Sequence, residues 1–156
     1  MKVIQNLWFD KDMDTAINLY TSLIPNSALE WSGALPAESP SGPAGSVKIA
    51  TFTIDGQRYQ AFEAHRSDAF NHTFSIMIEC ETQAEVDRLW EVLGEGGKFE
   101  QCGWLKDRWG LSWQITPKRL GELVRDPDRA KAKRVAEAML TMVKLDIAGL
   151  EAAAKG

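Results

Sequence analysis

Apolar and polar positions follow nearly the same order in the two halves of the chain. In the first half, an aromatic and branched run at residues 2–9 predicts a strand, and apolar residues at helical spacing predict a helix at about 13–24 that Asp12 is placed to cap. The proline- and glycine-rich segment 36–45 predicts a loop. Three further strands are predicted, one within 27–35 and two within 46–64 around the Asp55-Gly56 turn.

The second half repeats the order of strand, helix and strands. Residues 74–80 predict a strand, and the helix after it has Thr82 as its cap, Glu85 to complete a capping box, and glycines at its end. More strands are predicted on both sides of a turn at Arg108 to Gly110. The pattern predicts a tandem α+β fold of two βαβββ modules, at 1–66 and 72–117, with a helical extension at 118–156.

The last predicted strand has two chemically different faces. Leu111, Trp113 and Ile115 alternate with Ser112, Gln114 and Thr116, so the apolar set should pack against a helix and the polar set should face the other way.

The extension is predicted to be helical. Its main helix should open at Asp126-Pro127, with basic residues facing water, and a short helix containing Leu145, Ile147 and Leu150 should follow. Packing on the sheet or on a second subunit explains this amphipathic pattern better than a membrane surface, because acidic residues dilute its positive charge. The apolar stripe of the main helix comprises Val135, Ala136, Met139, Leu140, Met142 and Val143.

Composition and charge narrow the possible partners. The net charge is −4 over 156 residues and the basic residues are scattered, which argues against nucleic acid. No apolar run approaches the roughly 20 residues of a membrane span. The start has no secretory pattern, so we expect a cytoplasmic protein in which the two cysteines, Cys80 and Cys102, are reduced thiols.

The chain resembles the vicinal oxygen chelate superfamily in three respects. These are the module order, the W-F-D and A-x-x-x-Y patterns near the start, and the run QCGWLKDRWGLSWQITP at 101–117. This group includes glyoxalase I, extradiol dioxygenases and antibiotic-resistance proteins. The stronger likeness is to the PhnB-like branch, often labelled 3-demethylubiquinone-9 3-methyltransferase, over residues 2–117 and in the tail. The resemblance implies a cup-shaped sheet in each module and, in its metal-using members, a divalent ion held by first and last strands. It also implies a homodimer.

The positions that correspond to metal ligands in those relatives are Gln5, Gln60, Ser75 and Gln114. Amides and a hydroxyl offer neither charge nor imidazole to a divalent cation, so we expect no metal and no cofactor. Proton abstraction of the glyoxalase type would need a carboxylate, which these positions lack. Amides do suit hydrogen bonding to a small polar or aromatic ligand in a metal-free cup, with Trp104 and Cys102 as further wall residues.

Other site candidates have plainer explanations. His65, His72, Glu63 and Asp68 could bind a metal, but a solvated connector explains them equally well. Cys102 could be a nucleophile, yet a small buried hydrophobe is the better interpretation. Among the tryptophans, Trp8, Trp90 and Trp113 are predicted in the core, and Trp104 and Trp109 at a pocket or an interface.

Three hypotheses of function remain. The leading one is a protein that binds a small molecule without a metal. The second is a metal-independent or methyltransferase-like enzyme of the same fold. S-adenosylmethionine binding on the usual doubly wound fold needs glycines between a strand and a helix, whereas Gly94, Gly96 and Gly97 follow a helix. The third is a protein-interaction module that uses the C-terminal helices.

Overall fold

The computed structural model describes residues 1–65 and 68–156. The chain divides into two compact units, Met1–Ala69 and Phe70–Gly156, and the C-terminal helices belong to the second.

The first unit is a four-stranded sheet with one helix. Its strand order is β1-β4-β3-β2, with β1 and β4 parallel and the other neighbours antiparallel. Apolar residues at alternate strand positions, such as Leu7, Phe52 and Ala61, are buried on one face together with Ile17 and Tyr20 of the helix. The elements are β1 (Gln5–Phe9), α1 (Met13–Leu23), β2 (Ala28–Ala34), β3 (Lys48–Ile54) and β4 (Gln57–Glu63).

The start of α1 differs from the prediction. Asp12 is the N-cap residue, but its side chain accepts no capping hydrogen bond. Its backbone takes the left-handed conformation, with φ of 59°, instead of the extended conformation from which a cap side chain reaches the next turn. Glu63 accepts from the Met13 N–H at 2.8 Å instead. A residue from β4 therefore satisfies one of the free amides of this helix.

The second unit has the same topology with a helical extension. Its sheet order is β5-β8-β7-β6, and again only the β5–β8 pair among these neighbours is parallel. The predicted capping box of α2 is confirmed, with Thr82 and Glu85 bonding reciprocally. The elements are β5 (Ser75–Cys80), α2 (Gln83–Gly94), β6 (Lys98–Phe99), β7 (Trp104–Lys106), β8 (Ser112–Pro117), α3 (Lys118–Val124), α4 (Arg129–Thr141) and α5 (Ile147–Lys155).

The predicted packing face of β8 is confirmed. Leu111, Trp113 and Ile115 are fully buried, and α2 lies against β8. Trp90 of α2 is buried as predicted and stacks on Phe99 of β6, with ring centroids 5.0 Å apart. The repeated module order and its α+β class are likewise as the sequence predicts.

The three C-terminal helices share a small core of their own. Leu120, Leu123, Val135, Leu145 and Leu150 are its buried members. One detail of the prediction, the start of the main helix at Asp126-Pro127, is wrong. Asp128, not Asp126, caps α4 by accepting from the Ala130 and Lys131 amides, because Asp126 lies outside the helix and bonds to Lys131 and the Asp128 amide. Leu140 and Val143 of the predicted stripe are 63% and 43% exposed.

Helices long and apolar enough to cross a membrane are absent from residues 1–65 and 68–156.

Candidate functional site

The second sheet has an open face opposite α2. Strand register fixes its members, because paired residues on neighbouring strands point to the same side. Gln114 of β8 lies opposite Met77 of β5 and Trp104 of β7, and Ser112 lies opposite Ser75 and Lys106. The face also carries Glu79, Thr116 and Lys98.

Two predicted site residues meet directly on this face. Gln114 Nε2 donates to Ser75 Oγ at 2.9 Å, and both side chains remain partly exposed. This bond leaves the Gln114 amide oxygen and one further N–H for other partners. Ser112 is fully buried next to them, and its hydroxyl has no hydrogen-bond partner within the described part of the chain. The centre of the face therefore holds polar groups that are not all satisfied.

Trp104 is the aromatic residue of the same face. It is partly exposed, and the ring of His72 lies 6.0 Å from it at a tilt of 56°. His72 Nε2 and Glu100 Oε2 are 2.7 Å apart, and Lys98 Nζ lies 3.6 Å from Glu100 Oε1. His72 thus lies beside the indole, and it is linked through Glu100 to Lys98.

Glu100 is the most enclosed member of this group, with its side chain 16% exposed. Burial alone would raise the pKa of Glu100, but the hydrogen bond from His72 and the charges of His72, Lys106 and Lys98 outweigh it and hold the pKa below its usual value. The carboxylate is therefore ionised at neutral pH and accepts hydrogen bonds only.

The turn between β7 and β8 is organised by Asp107, which sequence reasoning did not identify. This carboxylate is only 3% exposed. Asp107 Oδ1 accepts from the Trp109 and Leu111 amides, and Oδ2 accepts from Trp113 Nε1 at 2.9 Å. The bonds close the turn that aligns Trp104 with Gln114.

Cys102 occupies a turn just before Trp104, and the extension holds this turn in place. The Cys102 and Gly103 amides donate to the carbonyls of Met142 and Val143, each at 2.8 Å. Gly103 has φ of 80°, and a Cβ there would lie 2.7 Å from the Ile115 carbonyl oxygen, so only glycine fits. Cys102 is partly exposed, and a catalytic partner for it is not evident among the contacts of the described residues.

The first sheet also has an open face, and its residues differ from the predictions for Gln5 and Trp8. Gln60 lies on it opposite Asn6 of β1, whereas Gln5 lies on the other face with Leu7. The Gln5 amide oxygen instead accepts from Gln57 at 3.0 Å. The resemblance puts both Gln5 and Gln60 at ligand positions, but only Gln60 lies on the open face, and the β1 residue beside it is Asn6.

Aromatic side chains dominate the rest of that open face. Trp8, predicted in the core, is 40% exposed, and its indole N–H donates to the Ala64 carbonyl at 3.1 Å. The alternation of β1 places Leu7 and Phe9 inside and Trp8 outside, so the core prediction for Trp8 is wrong. Trp31 is 52% exposed, and its ring lies over Gly33. A Cβ added at Gly33 would lie 2.6 Å from this ring, so the ring occupies the space that a side chain would need.

The candidate metal ligands of the connector have other partners. Glu63 pairs with Lys48 at 2.9 Å as well as capping α1, His65 lies 3.6 Å from Asp10, and His72 bonds to Glu100. Groups of three or more histidine, cysteine or acidic residues that could hold a metal ion are absent from the described ranges, 1–65 and 68–156.

Comparison with known proteins agrees with this architecture. The family model described as 3-demethylubiquinone-9 3-methyltransferase matches residues 1–116. The chain belongs to this family, and it has the fold of the vicinal oxygen chelate superfamily. No curated protein sequence matches the chain significantly.

Solved structures show the same fold. The PhnB protein from Bacillus cereus, which carries the 3-demethylubiquinone-9 3-methyltransferase name, is 29% identical, with a TM-score of 0.66 over 75% of this chain and 99% of that one. A Pseudomonas aeruginosa protein is 22% identical, with a TM-score of 0.60 over 75% and 97% of the two chains. The fosfomycin resistance protein FosX from Listeria monocytogenes is 18% identical, with a TM-score of 0.56 over 81% and 98%. The last two show the fold alone.

Proposed function

We propose that this protein binds a small polar or aromatic molecule without a metal, on the open face of its second sheet. The observation that carries the proposal is the group formed there by Ser75, Gln114 and Trp104. An amide and a hydroxyl that are already oriented by their mutual bond lie next to a partly exposed indole. Ligand sites combine an apolar or aromatic wall with a few polar groups in this way.

The residues at the family's ligand positions support binding rather than metal chemistry. Gln60, Ser75 and Gln114 are neutral, and Ser75 and Gln114 are bonded to each other. Such donors favour hydrogen bonding to a ligand over coordination of a divalent cation. Cys102 supports the wall indirectly, because its turn is held by the extension directly before Trp104.

A ligand-induced melting screen tests the proposal. Purified protein would be screened against small aromatic acids, amides and heterocycles, and each hit would be repeated with Trp104→Leu. We expect a hit to raise the melting temperature of the wild type, because a ligand that binds only the folded state stabilises it. The shift should shrink in Trp104→Leu and persist in Trp31→Leu, a matched change on the first sheet. Equal shifts in both variants would contradict the proposed location.

The C-terminal helices favour a second role, in self-association. Leu140 and Val143 are exposed although they belong to the apolar stripe of the extension. A homodimer in a two-fold arrangement would cover such residues, and this is the commonest closed assembly. Light scattering at micromolar concentration should give a dimer mass, and Leu140→Glu should reduce it to that of a monomer. A monomeric wild type would refute the dimer.

A further inference from the structure

His72 lies at the edge of the proposed ligand face in a fixed local conformation. The side chain of Asn71 accepts from the Thr73 amide at 2.8 Å and from its hydroxyl, which orders the segment that leads into β5. The imidazole then lies beside the Trp104 ring and is 54% exposed. A ligand resting on Trp104 would therefore be within reach of this imidazole.

The partner of His72 determines which ring nitrogen carries the proton. Glu100 is ionised, so it accepts the 2.7 Å hydrogen bond and Nε2 of His72 must donate it. In the neutral ring the proton then resides on Nε2 and leaves Nδ1 with a free lone pair. Glu100 is itself held by its backbone, because its amide donates to the Trp104 carbonyl at 2.9 Å. The pair has the arrangement of a base and the group that orients it.

We propose that His72 is a general base and Glu100 its positioning residue, in a proton-transfer activity on the open face of the second sheet. This inference rests on the proposed small-molecule site and names its substrate class: planar molecules with a weakly acidic C–H or O–H. Nδ1 takes the proton, and the electron pair stays on the substrate as an anion. Lys98 and Lys106 lie opposite each other on the same face and favour that negative charge. The imidazolium keeps its Nε2–H bond to Glu100 and later returns the Nδ1 proton to water or product.

The probe for this activity is 5-nitrobenzisoxazole, a flat aromatic ring that opens when a base removes one proton. The C–H bond breaks, a nitrile forms, the N–O bond breaks, and the electron pair ends on a coloured nitrophenolate. We expect the wild type to accelerate the opening about 100-fold or more over the same concentration of free imidazole, the lower range for a positioned base. His72→Gln should return the rate to that of imidazole or less.

The controls separate the base from its positioning residue. His65→Gln is the matched change at the other histidine of the chain and should keep the wild-type rate. Glu100→Gln should lower the rate and also mix the two neutral tautomers of His72. Nitrogen NMR of the ring reports this tautomer change directly, and a purely structural role of Glu100 would leave it unmoved. Circular dichroism would verify that each variant is folded.

Two results would overturn the inference: a wild-type rate no higher than that of imidazole, or a His72→Gln variant that retains the full rate. Ligands could at the same time still raise the melting temperature of the wild type and lose this effect in Trp104→Leu. Either result would then exclude His72 as a base but support the binding site. If the rate depends on His72 but the ligands found in the melting screen do not depend on Trp104, the proposed ligand site at Trp104 is wrong. The two proposals therefore fail separately.

Discussion

Trp113 Nε1 donates a 2.9 Å hydrogen bond to Asp107 Oδ2, and both side chains are buried. The other oxygen of Asp107 accepts from the Trp109 and Leu111 amides at 3.0 Å each. One carboxylate therefore closes the turn between β7 and β8 and fixes a fully buried indole of the core. Buried charges are rare unless they are satisfied in this manner.

We expect Asp107→Asn to lower the free energy of unfolding by about 1–3 kcal/mol. An asparagine has one acceptor oxygen and one donor nitrogen, whereas the Trp109, Leu111 and Trp113 groups that bond to Asp107 are all N–H donors. Whichever way the amide turns, its NH₂ meets a donor, and a buried hydrogen bond is lost. Urea unfolding followed by tryptophan fluorescence and circular dichroism would measure the difference.

Glu95→Gln is the matched control for that prediction. Glu95 pairs with Arg108 at 3.2 Å, but its side chain is 76% exposed. Exposed ion pairs contribute little, so this change should leave the free energy of unfolding within about 1 kcal/mol of the wild type. Equal effects from the two substitutions would show that the Asp107 bonds do not stabilise the turn.

Trp113→Ala should cost about 3–5 kcal/mol of stability, as truncation of a large core side chain does. The indole is fully buried, so its removal leaves a cavity and takes one hydrogen bond from Asp107. Trp31→Ala, at a ring that is 52% exposed, is the matched change and should cost much less. Differential scanning calorimetry would compare the two. A larger loss at Trp31 would mean that the strand faces have been assigned the wrong way round.

The fold could be predicted from sequence wherever a local pattern has a single structural solution. The alternation in β8 predicts a buried Trp113 and an open Gln114, and the Thr82 and Glu85 spacing predicts the cap of α2. Prediction failed where one residue of register decides the outcome. Gln5 and Asn6 differ by one position, and a shift of one reverses the face of a strand residue. Asp107 was missed because the charged sequence Lys106-Asp107-Arg108 suggests a solvent-exposed segment. The N–H donors of Trp109, Leu111 and Trp113 come together around it only in the folded turn.

Part of the candidate site could be predicted for the same reason. Ser75, Gln114 and Trp104 belong to regular strands, so the resemblance and the alternation bring them to one face, where they are found. The His72–Glu100 pair joins residues 28 positions apart through a loop, and no periodicity links them. The alternation of Lys98, Phe99 and Glu100 was the available signal, since it puts Glu100 on the side opposite the Phe99 ring, which stacks on Trp90.

The two thiols should react very differently. Burial, and then the charge of Glu85, raise the pKa of Cys80 to about 11, while Cys102 is partly exposed. Iodoacetamide near neutral pH should therefore modify Cys102 alone in the native protein and Cys80 only after unfolding. Mass spectrometry of peptides would measure this, with Cys102→Ser as the control that removes the native labelling. Rapid native labelling of Cys80 would contradict its burial.

The same raised pKa predicts a loss of stability at alkaline pH. The unfolded thiol ionises near its ordinary pKa, and the folded one stays protonated until about 11. The stability from protonated Cys80 is therefore complete below the ordinary value and is lost as pH rises through this window. Cys80→Ala should flatten that part of the unfolding profile in urea. An unchanged alkaline slope in the variant would assign the loss to other groups.

Metal removal should have no effect on the protein. Gln60, Ser75 and Gln114 lack the charge and the imidazole that hold Zn²⁺ or Fe²⁺, so we expect less than one equivalent of Zn, Fe, Mn or Ni after purification. A chelator should leave the melting temperature unchanged, because a tightly bound ion would stabilise the folded state. Elemental analysis and a melting curve with EDTA would measure both. One equivalent of tightly held metal would refute the expectation and direct attention to His72 and Glu100.

Gln114→Ala should separate binding from folding. The side chain lies on the open face, and within residues 1–65 and 68–156 its hydrogen-bond partner is Ser75, so its loss should change the stability little. A ligand that uses the amide should bind about 1–3 kcal/mol more weakly, because its buried polar partner loses a hydrogen bond. Gln57→Ala is the matched control, since Gln57 bonds to Gln5 in the first unit and should leave the affinity unchanged. Calorimetric titration of a hit from the melting screen would compare the two variants. Gln114→Ala could instead change neither the stability nor the affinity for a ligand that depends on Trp104. In that case the Gln114 amide does not contact the ligand, and the polar part of the proposed site is wrong.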